Sequence, residues 1–403
     1  MINASLGAHY SRQFVSQSSQ LFWQTLLGLP IQDVTNPLRV GLEQTFGGQA
    51  VLVYKGRDAI ELALRAYGIT QQTQTVLIQA FTCHAIEEGI TRAGAHVQYV
   101  DLGENQLNLT VATLTQAYKK AKHVKAVIVQ NTLGHPAEMS KIKAWCQQHQ
   151  LLLIEDLAQS YGATANGKLL GTFGDVVILS FGRDKVIDAV SGGAVVFRQK
   201  PTQSFPNLPA TPKSVVLNDL AYPLFTSLIR GTYDFLLGKL IHKTLTVIGL
   251  MGNPTQSPTN KITALPDSLA ILALGQLKQV DAIRRLRQVT AALYLEKLIE
   301  TPLKLLTETT HLKNGSLLRV AATVDDPQSL LRFLKTHNIH LTDRWYREPV
   351  DCGQRQCDTQ YQAGSCPNAE KLSRTMINLP THAKISVSDA EKIIMIIKKY
   401  FAK

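Results

Sequence analysis

The sequence is poor in the features that mark secreted, membrane-spanning and nucleic-acid-binding proteins. Met1 to Gly7 contains no Lys or Arg, so the N-terminus is not typical of a signal peptide. No uncharged apolar run is long enough to span a bilayer. No Lys/Arg block is interleaved with aromatic residues, which argues against a nucleic-acid-binding protein. We therefore expect a cytoplasmic protein that binds no nucleic acid.

Cysteine is also scarce, with five residues in a chain of 403. An odd number without a secretion signal favours a reducing compartment. Cys352, Cys357 and Cys366 lie within fifteen residues of one another, but their spacing forms no CxxC pair and no HxxxH follows. We predict a cluster of free thiols in a loop and no metal site.

Acidic residues are outnumbered, because 42 Lys and Arg face 30 Asp and Glu and the formal net charge is +12. A positively charged protein attracts anionic partners such as phosphate-bearing metabolites. The same net charge can simply keep the protein soluble. Hydrophobic residues make up 45% and charged residues 18%, which is typical of a soluble globular protein. A chain of this length is expected to form two domains.

Short apolar runs alternate with helical patterns through the middle of the chain. The apolar runs read "TVLIQA", "HVQYVDL", "VKAVIVQN", "LLLIED", "VVILSF" and "GAVVF". Such alternation predicts an α/β fold with a mostly parallel sheet, and ligands bind at the carboxyl ends of such strands. We place this sheet in a large domain at about 1–255, and a smaller C-terminal α/β domain at about 256–403.

Polar side chains follow several of these predicted strands. Asp156 ends "LLLIED", and Gln159 lies one helical turn further on. Ser180 ends the next strand, and Lys185 follows in "SFGRDKVIDAVSGG", where a Gly-Gly turn precedes the return strand. Such a loop can direct an amine into a cleft. Taken singly, Asp156 also fits a helix cap, Ser180 a turn and Lys185 an ordinary surface lysine.

Two further positions complete a possible cofactor site. Gly56 stands before a helix whose first turn includes Arg57, so free N–H groups and a guanidinium could bind phosphate, although a simple cap also fits. Phe81 follows "VLIQA" and could stack on a flat ring or belong to the core. Pyridoxal phosphate needs such a phosphate seat, aromatic ring, carboxylate, hydroxyl and lysine.

The stretch from Leu151 to Phe197 resembles the core of the DegT/DnrJ/EryC1/StrS family. These are fold-type I pyridoxal-phosphate enzymes that mostly aminate keto-sugars attached to nucleotides. The family pattern is IED-x-A-Q-x-x-GA, then G-x-x-G-x-x-G-D, SF-x-x-x-K and GG. The matching residues are Ile154, Glu155, Asp156, Ala158, Gln159, Gly162, Ala163, Gly171, Gly174, Asp175, Ser180, Phe181, Lys185, Gly192 and Gly193, with Gly167 nearby. Weaker matches extend over roughly residues 35 to 400, with a gap near 200 to 260.

The resemblance implies a role for each candidate residue. Lys185 would hold the cofactor covalently and move the proton, and Asp156 would pair with the ring nitrogen. Gln159 would reach the ring hydroxyl, and Phe81 would stack on the ring. Ser180 and the backbone around Gly56 and Arg57 would hold the phosphate. The resemblance further implies a homodimer that converts a nucleotide-linked or otherwise activated keto-sugar to an amino sugar, with glutamate as donor.

Departures from the family pattern leave alternatives open. Arg57 replaces the usual threonine, and the usual Asn-x-Arg is unclear, since Ala264 stands at the arginine and Asn260 is the nearest asparagine. A catalytically quiet regulatory or scaffold protein is therefore one alternative. The related sugar dehydratases are another, although that branch usually has histidine in place of Lys185.

The gap region is strongly apolar with interspersed basic residues over 215–251. We predict two amphipathic helices with a cationic face, inserted at about 205–255. They could pack on protein or contact an anionic membrane surface, and we favour packing.

Overall fold

The structure is a computed structural model, and it describes residues 2–4, 10–204, 207–233, 237–247, 249–251, 261–341, 345–353 and 358–402. The strands are β1 (Ile2–Asn3), β2 (Gln49–Val53), β3 (Thr75–Gln79), β4 (His96–Val100), β5 (Val124–Gln130), β6 (Leu152–Asp156), β7 (Thr164–Ala165), β8 (Lys168–Leu169), β9 (Val176–Ser180), β10 (Gly193–Phe197), β11 (Lys304–Leu305), β12 (Arg319–Thr323), β13 (Ile339–His340) and β14 (Met376–Pro380).

Helices connect these strands along the whole chain. They are α1 (Arg12–Leu27), α2 (Thr35–Phe46), α3 (Gly56–Ala66), α4 (His84–Ala93), α5 (Val111–Lys120), α6 (Met139–Gln148), α7 (Lys213–Thr232), α8 (Leu237–Val247), α9 (Asp267–Leu277), α10 (Val280–Leu298), α11 (Thr309–Asn314), α12 (Pro327–Thr336), α13 (Pro367–Thr375) and α14 (Val387–Phe401).

The main sheet has seven strands in the order β2-β10-β9-β6-β5-β3-β4. β10 pairs antiparallel with both β2 and β9, and the pairings from β9 to β4 are parallel. Six strands therefore run in one direction, and their carboxyl ends meet at one edge. The predicted mostly parallel α/β fold is confirmed.

Helices cover both faces of this sheet, which explains why its strands read as continuous apolar runs. Val127 and Val129 of β5 belong to a core shared with α1, α2, α6, α7 and α9. Ala126 and Ile128 of the same strand face the opposite core, shared with α3 and α4. Because side chains alternate along a strand, one apolar run serves both cores.

A smaller sheet, β11-β12-β14, lies toward the C-terminus. Its core joins β12 and β14 to α10, α12 and α14, and includes Ile2, whose strand β1 pairs with β13. The segment after Pro266 forms two consecutive helices, α9 and α10. The proposed boundary at 255/256 stays a prediction, and the packing of α9 in the large core favours a boundary after α9.

Two helices do lie in the inserted region. α7 packs against α1, with Val216, Leu220 and Tyr222 in the large core. The hydroxyl of Ser18 in α1 donates to the carbonyl of Leu220 at 2.7 Å. α8 packs on α7 and is mostly exposed. None of the helices in the described ranges has the length and apolar character of a bilayer-spanning segment.

The prediction of free thiols is wrong at one position. Cys352 is disulfide-bonded, whereas Cys83, Cys146 and Cys366 are free. Cys357 lies outside the described residues. Close approach in the folded chain decides this pairing, and sequence spacing does not reveal it. No His, Cys, Asp and Glu cluster suited to a metal ion occurs in the part of the chain that the structure describes.

Candidate active site

Lys185 lies in a closed loop between β9 and β10. The N–H of Phe181 donates to the carbonyl of Gly192, and that of Ala189 donates to Phe181, both at 2.8 Å. Asp188 accepts the N–H of Asp184 at 2.9 Å. These bonds hold the half-buried lysine in place, and its ammonium lies 5.1 Å from the centroid of the Trp345 ring.

Asp156 ends β6 at the carboxyl edge of the sheet. In the described part of the chain its carboxylate accepts one hydrogen bond, from the N–H of Ala158 at 2.9 Å. Burial raises the pKa of Asp156, while this hydrogen bond and the positive charge of Lys185 act in the opposite direction. Asp156 and Lys185 therefore lie close enough for their charges to interact.

Gln159 and Phe81 meet through Tyr346. The amide of Gln159 donates to the hydroxyl of Tyr346 at 2.5 Å and accepts from the N–H of Leu133 at 2.7 Å. The ring of Phe81 is fully buried and contacts Tyr346 edge to face, with centroids 5.2 Å apart. Tyr346 stacks in turn on Trp345. These two aromatic residues were missed by the sequence analysis, because they lie far along the chain from the strand ends.

Gly56, the first residue of α3, lies next to Ser180, the last residue of β9. A Cβ at Gly56 would lie 2.9 Å from the Cβ of Ser180 and 3.1 Å from its hydroxyl oxygen. Only glycine permits this approach of the α3 N-terminus to the Ser180 hydroxyl. The first N–H groups of a helix have no intrahelical partners. A phosphate could therefore be held by N–H groups and a hydroxyl together.

Arg57 does not offer a free guanidinium for that phosphate. Its side chain is buried and pairs with Glu88 of α4. The predicted contact between this guanidinium and phosphate is therefore disfavoured, because one of its nitrogens already faces a carboxylate. The phosphate seat then consists of the start of α3 at Gly56 and the Ser180 hydroxyl, without the Arg57 guanidinium.

Lys55 is a further candidate that the sequence analysis did not identify. It directly precedes α3, and its ammonium donates to the hydroxyl of Ser191 at 2.8 Å. Burial lowers the pKa of Lys55 to about 8, with a smaller opposite effect from Asp219. A cation at the positive end of a helix is unfavourable unless an anion lies nearby. The juxtaposition of Lys55, Gly56 and Ser180 adds charge to the phosphate seat.

The two positions at which the usual Asn-x-Arg motif is unclear in the sequence lie after α8. Ala264 pairs by its backbone with Val53 at the edge of the main sheet. Asn260 lies outside the described residues. A methyl side chain at this position cannot donate a hydrogen bond to a substrate.

The groups brought together at this edge of the sheet fit pyridoxal phosphate. Asp156 offers a buried carboxylate to a protonated ring nitrogen, and Lys185 offers an amine close to it. The cradle at Gly56, which a Cβ would fill, suits a phosphate. The three groups lie at the same edge of the sheet, where ligands of parallel α/β folds bind.

Comparison with known proteins supports this assignment. The family model described as the DegT/DnrJ/EryC1/StrS aminotransferase family matches residues 44–204 and 255–398. The chain is 31% identical over 189 residues to GDP-perosamine synthase of Escherichia coli O157:H7, which covers 47% of this chain and 50% of that protein. It is 37% identical over 141 residues to UDP-N-acetyl-3-dehydro-alpha-D-glucosamine 3-aminotranferase of Acidithiobacillus ferrooxidans, covering 35% and 37%. The aligned part thus spans half or less of the length of these curated relatives.

Solved structures share the fold over nearly the whole chain. DesV of S. venezuelae superposes with a TM-score of 0.73 at 20% identity, covering 97% of this chain and 96% of that one. The PLP form of the putative sugar aminotransferase Spr1654 of Streptococcus pneumoniae gives a TM-score of 0.72 at 17% identity, covering 98% and 97%. At these identities the likeness establishes the fold.

Proposed function

This chain belongs to the DegT/DnrJ/EryC1/StrS aminotransferase family, and from that membership we infer that it is a pyridoxal-phosphate-dependent aminotransferase acting on a keto-sugar. The observation that carries the proposal is the proximity of a buried carboxylate, Asp156, to a loop lysine, Lys185, at the carboxyl edge of the sheet. The nucleotide-sugar names of the two curated relatives support a nucleotide-linked substrate.

Pyridoxal phosphate, when bound, supplies an electrophilic carbon for the amine and a ring that accepts electron density. Asp156 would keep the ring nitrogen protonated, since a buried carboxylate favours a cationic partner. Gln159 and Phe81 would orient the ring through its hydroxyl and its face. The N–H groups at the start of α3, Ser180 and Lys55 would hold the phosphate.

Lys185 has two proposed tasks at one nitrogen. Its Nζ would hold the cofactor and, once released as a free amine, would carry a proton away from the donor Cα. The closed loop from Phe181 to Gly192 limits how far Nζ can move. Trp345 against the ammonium excludes water from one side of it.

We propose glutamate as the amino donor and a homodimer as the assembly, both from the family resemblance. In the family, the arginine of the Asn-x-Arg motif usually reaches the cofactor of the neighbouring subunit, and Ala264 cannot make that contact. Light scattering on the purified protein tests the dimer. Cytoplasmic location stays a prediction from the sequence.

An absorbance titration tests the activity. We expect the protein with bound cofactor to show a visible band that shifts when glutamate is added and returns when a nucleotide keto-sugar is supplied. A band that glutamate leaves unchanged points to the dehydratase alternative. Absence of any band at saturating cofactor supports the scaffold alternative.

A further inference from the structure

The loop that carries Lys185 contains two residues with a positive backbone φ, Asp184 at 60° and Val190 at 71°. A positive φ is uncommon outside glycine, and β-branched side chains such as that of Val190 tolerate it least. Such conformations persist where surrounding contacts hold them, and they are concentrated at functional sites. The contacts that hold these two residues therefore bear on the position of the lysine between them.

The carboxylate of Asp188 holds both of these residues. Its Oδ2 accepts the N–H of Asp184 at 2.9 Å, and its Oδ1 accepts the N–H of Val190 at 3.0 Å. One side chain thus joins the backbone before Lys185 to the backbone after it. A change in the orientation of this carboxylate would release the chain on both sides of the reacting amine.

Tyr10 fixes the orientation of that carboxylate from outside the loop. Its hydroxyl donates to Oδ1 of Asp188 at 3.0 Å. The Tyr10 ring stacks on Phe14 of α1, with centroids 4.6 Å apart, and meets Tyr222 of α7 edge to face at 6.3 Å. The guanidinium of Arg183 lies 3.5 Å from the centroid of the same Tyr222 ring. The loop is therefore attached at two points to one aromatic cluster of α1 and α7.

The hydrogen bonds of Asp188 offset surroundings that disfavour its charge. Burial raises the pKa of Asp188 to about 7, and the negative charge of Asp184 acts in the same direction. The hydroxyl of Tyr10 and the two N–H groups of the loop oppose this shift. Tyr222 of α7 and Arg287 of α10 also interact electrostatically with the carboxylate. Above about pH 7 the carboxylate is therefore ionised and can accept from all three donors.

We propose that Asp188 and Tyr10 position the reacting amine of Lys185, an inference that rests on the proposed function. Asp188 acts on the lysine through the loop backbone, because its hydrogen bonds in the described chain come from that backbone and from Tyr10. A displacement of about 1 Å at a reacting group can cost roughly 100-fold in rate. Tyr10 lies outside residues 44–204 and 255–398, which the family model matches. The position of Lys185 is thus set in part by the N-terminal region of this chain.

Hydrogen exchange in the cofactor-free protein tests the loop directly, at about pH 8, where Asp188 is ionised. In Asp188→Asn one acceptor oxygen becomes an NH2 group, so one loop N–H loses its partner. We expect the peptide spanning 182–191 to exchange up to about tenfold faster at that amide than in the wild type. Asp101→Asn alters another carboxylate that accepts three backbone N–H groups, and as the matched control it should leave this peptide unchanged. Wild-type exchange in Asp188→Asn overturns the proposal.

Stopped-flow recording of the visible band after glutamate is added tests the position of the amine in the protein with bound cofactor. We expect Asp188→Asn to slow the limiting rate by about 10- to 100-fold, and the milder Tyr10→Phe by less. The glutamate concentration that gives half the limiting rate should stay near that of the wild type, because donor binding is not altered. Tyr67→Phe removes a hydroxyl that donates to the carbonyl of Gln199 at 2.8 Å, and as the matched control it should behave as the wild type. A change in the half-saturating concentration with an unaltered limiting rate overturns the proposal.

Val190→Gly separates positioning from a general loss of stability. Glycine adopts a φ of 71° without steric cost, so the loop in this background depends less on the Asp188 carboxylate. The loss of rate caused by Asp188→Asn should therefore be at least about threefold smaller in Val190→Gly than in the wild type. An equal loss in both backgrounds overturns the proposal. A loss that equals the unfolded fraction found by thermal denaturation also overturns it.

The outcome for the proposed function is read separately. If glutamate shifts the band at the wild-type rate in Asp188→Asn and Tyr10→Phe, the positioning pair is wrong while the aminotransferase stands. If no band forms in the wild type but hydrogen exchange over 182–191 still depends on Asp188, the loop assignment stands and the proposed function is wrong.

Discussion

The carboxylate of Asp219 accepts a hydrogen bond from the hydroxyl of Tyr54 at 2.5 Å. Its other oxygen lies 3.5 Å from the guanidinium of Arg183, which also stacks on Tyr222. Tyr54 precedes the phosphate seat, and Arg183 precedes Lys185 by two residues. Asp219 and Tyr222 belong to α7, which lies outside the residues matched by the family model. A helix outside the residues matched by the family model therefore links two parts of the candidate site.

Asp219→Ala should destabilise the fold by about 3–5 kcal/mol, because it removes the buried carboxylate that both Arg183 and Tyr54 face. Cofactor affinity should fall as well, since Tyr54 and the Lys185 loop lose their common anchor. Chemical denaturation and a cofactor titration measure the two effects. Asp281→Ala, which removes an exposed carboxylate paired at 4.0 Å with Arg284, is the control and should change stability little. Unchanged stability in Asp219→Ala would contradict the linkage.

Lys185→Ala should abolish amino transfer and leave a folded protein. The reason is that the loop is closed by backbone hydrogen bonds, which do not depend on this side chain. Borohydride reduction of the wild type, followed by peptide mapping, should place the cofactor on Lys185. Labelling of Lys55, the second amine of the candidate site, would show that the assignment is wrong.

Asp156→Asn should retain the cofactor but slow turnover by at least about a hundredfold, or roughly 3 kcal/mol in the barrier. A neutral amide cannot stabilise the positive charge on the ring nitrogen. Single-turnover kinetics with glutamate measure the loss. Asp156→Glu keeps the charge and should recover part of the rate. Wild-type turnover in the amide variant is the result that rules out this role.

Phosphate affinity should fall as the pH rises through about 8. Burial lowers the pKa of Lys55 to about 8, so its ammonium is charged below that pH and loses its proton above it. The second ionisation of a phosphate ester, near pH 6, is already complete. The affinity of the wild type for the cofactor, measured from about pH 7 to 9.5, should fall in one step near pH 8. Lys55→Gln should bind weakly without the step, and Lys55→Arg should bind without it because arginine stays charged. A step that persists in both variants would assign it to another group.

The inserted helices should differ in their contribution to stability. Leu220 of α7 is fully buried, so Leu220→Ala should cost about 2–5 kcal/mol. Leu237 and Leu240 of α8 are 50% and 62% exposed, and their replacement by serine should have little effect. Thermal unfolding of both variants measures the difference.

The same variants test the membrane alternative for the inserted region. Because α7 buries apolar side chains in the large core, we expect the wild type not to pellet with anionic vesicles. Salt-sensitive pelleting that is lost in Lys239→Gln with Lys243→Gln would instead assign α8 to a lipid surface, at about 1 kcal/mol per charge.

The order of strands and helices in the main sheet was predictable from the sequence. Buried parallel strands require apolar runs such as "VKAVIVQN", and helices require a period that places apolar residues on one face. Asp156, Ser180 and Lys185 were identified for the same reason, because strand ends are visible as the points where an apolar run stops. The glycine at position 56 was likewise marked by the helix that it precedes.

Contacts between distant parts of the chain were decided by the tertiary structure. The pairing of Arg57 with Glu88, the position of Tyr346 against Phe81 and the link from Asp219 to Tyr54 each join segments with no shared local pattern. The same holds for Tyr10 and Asp188, which are 178 residues apart in the chain. Whether a charge is solvated, paired or left facing a cleft depends on packing, and that information is absent from spacing and periodicity.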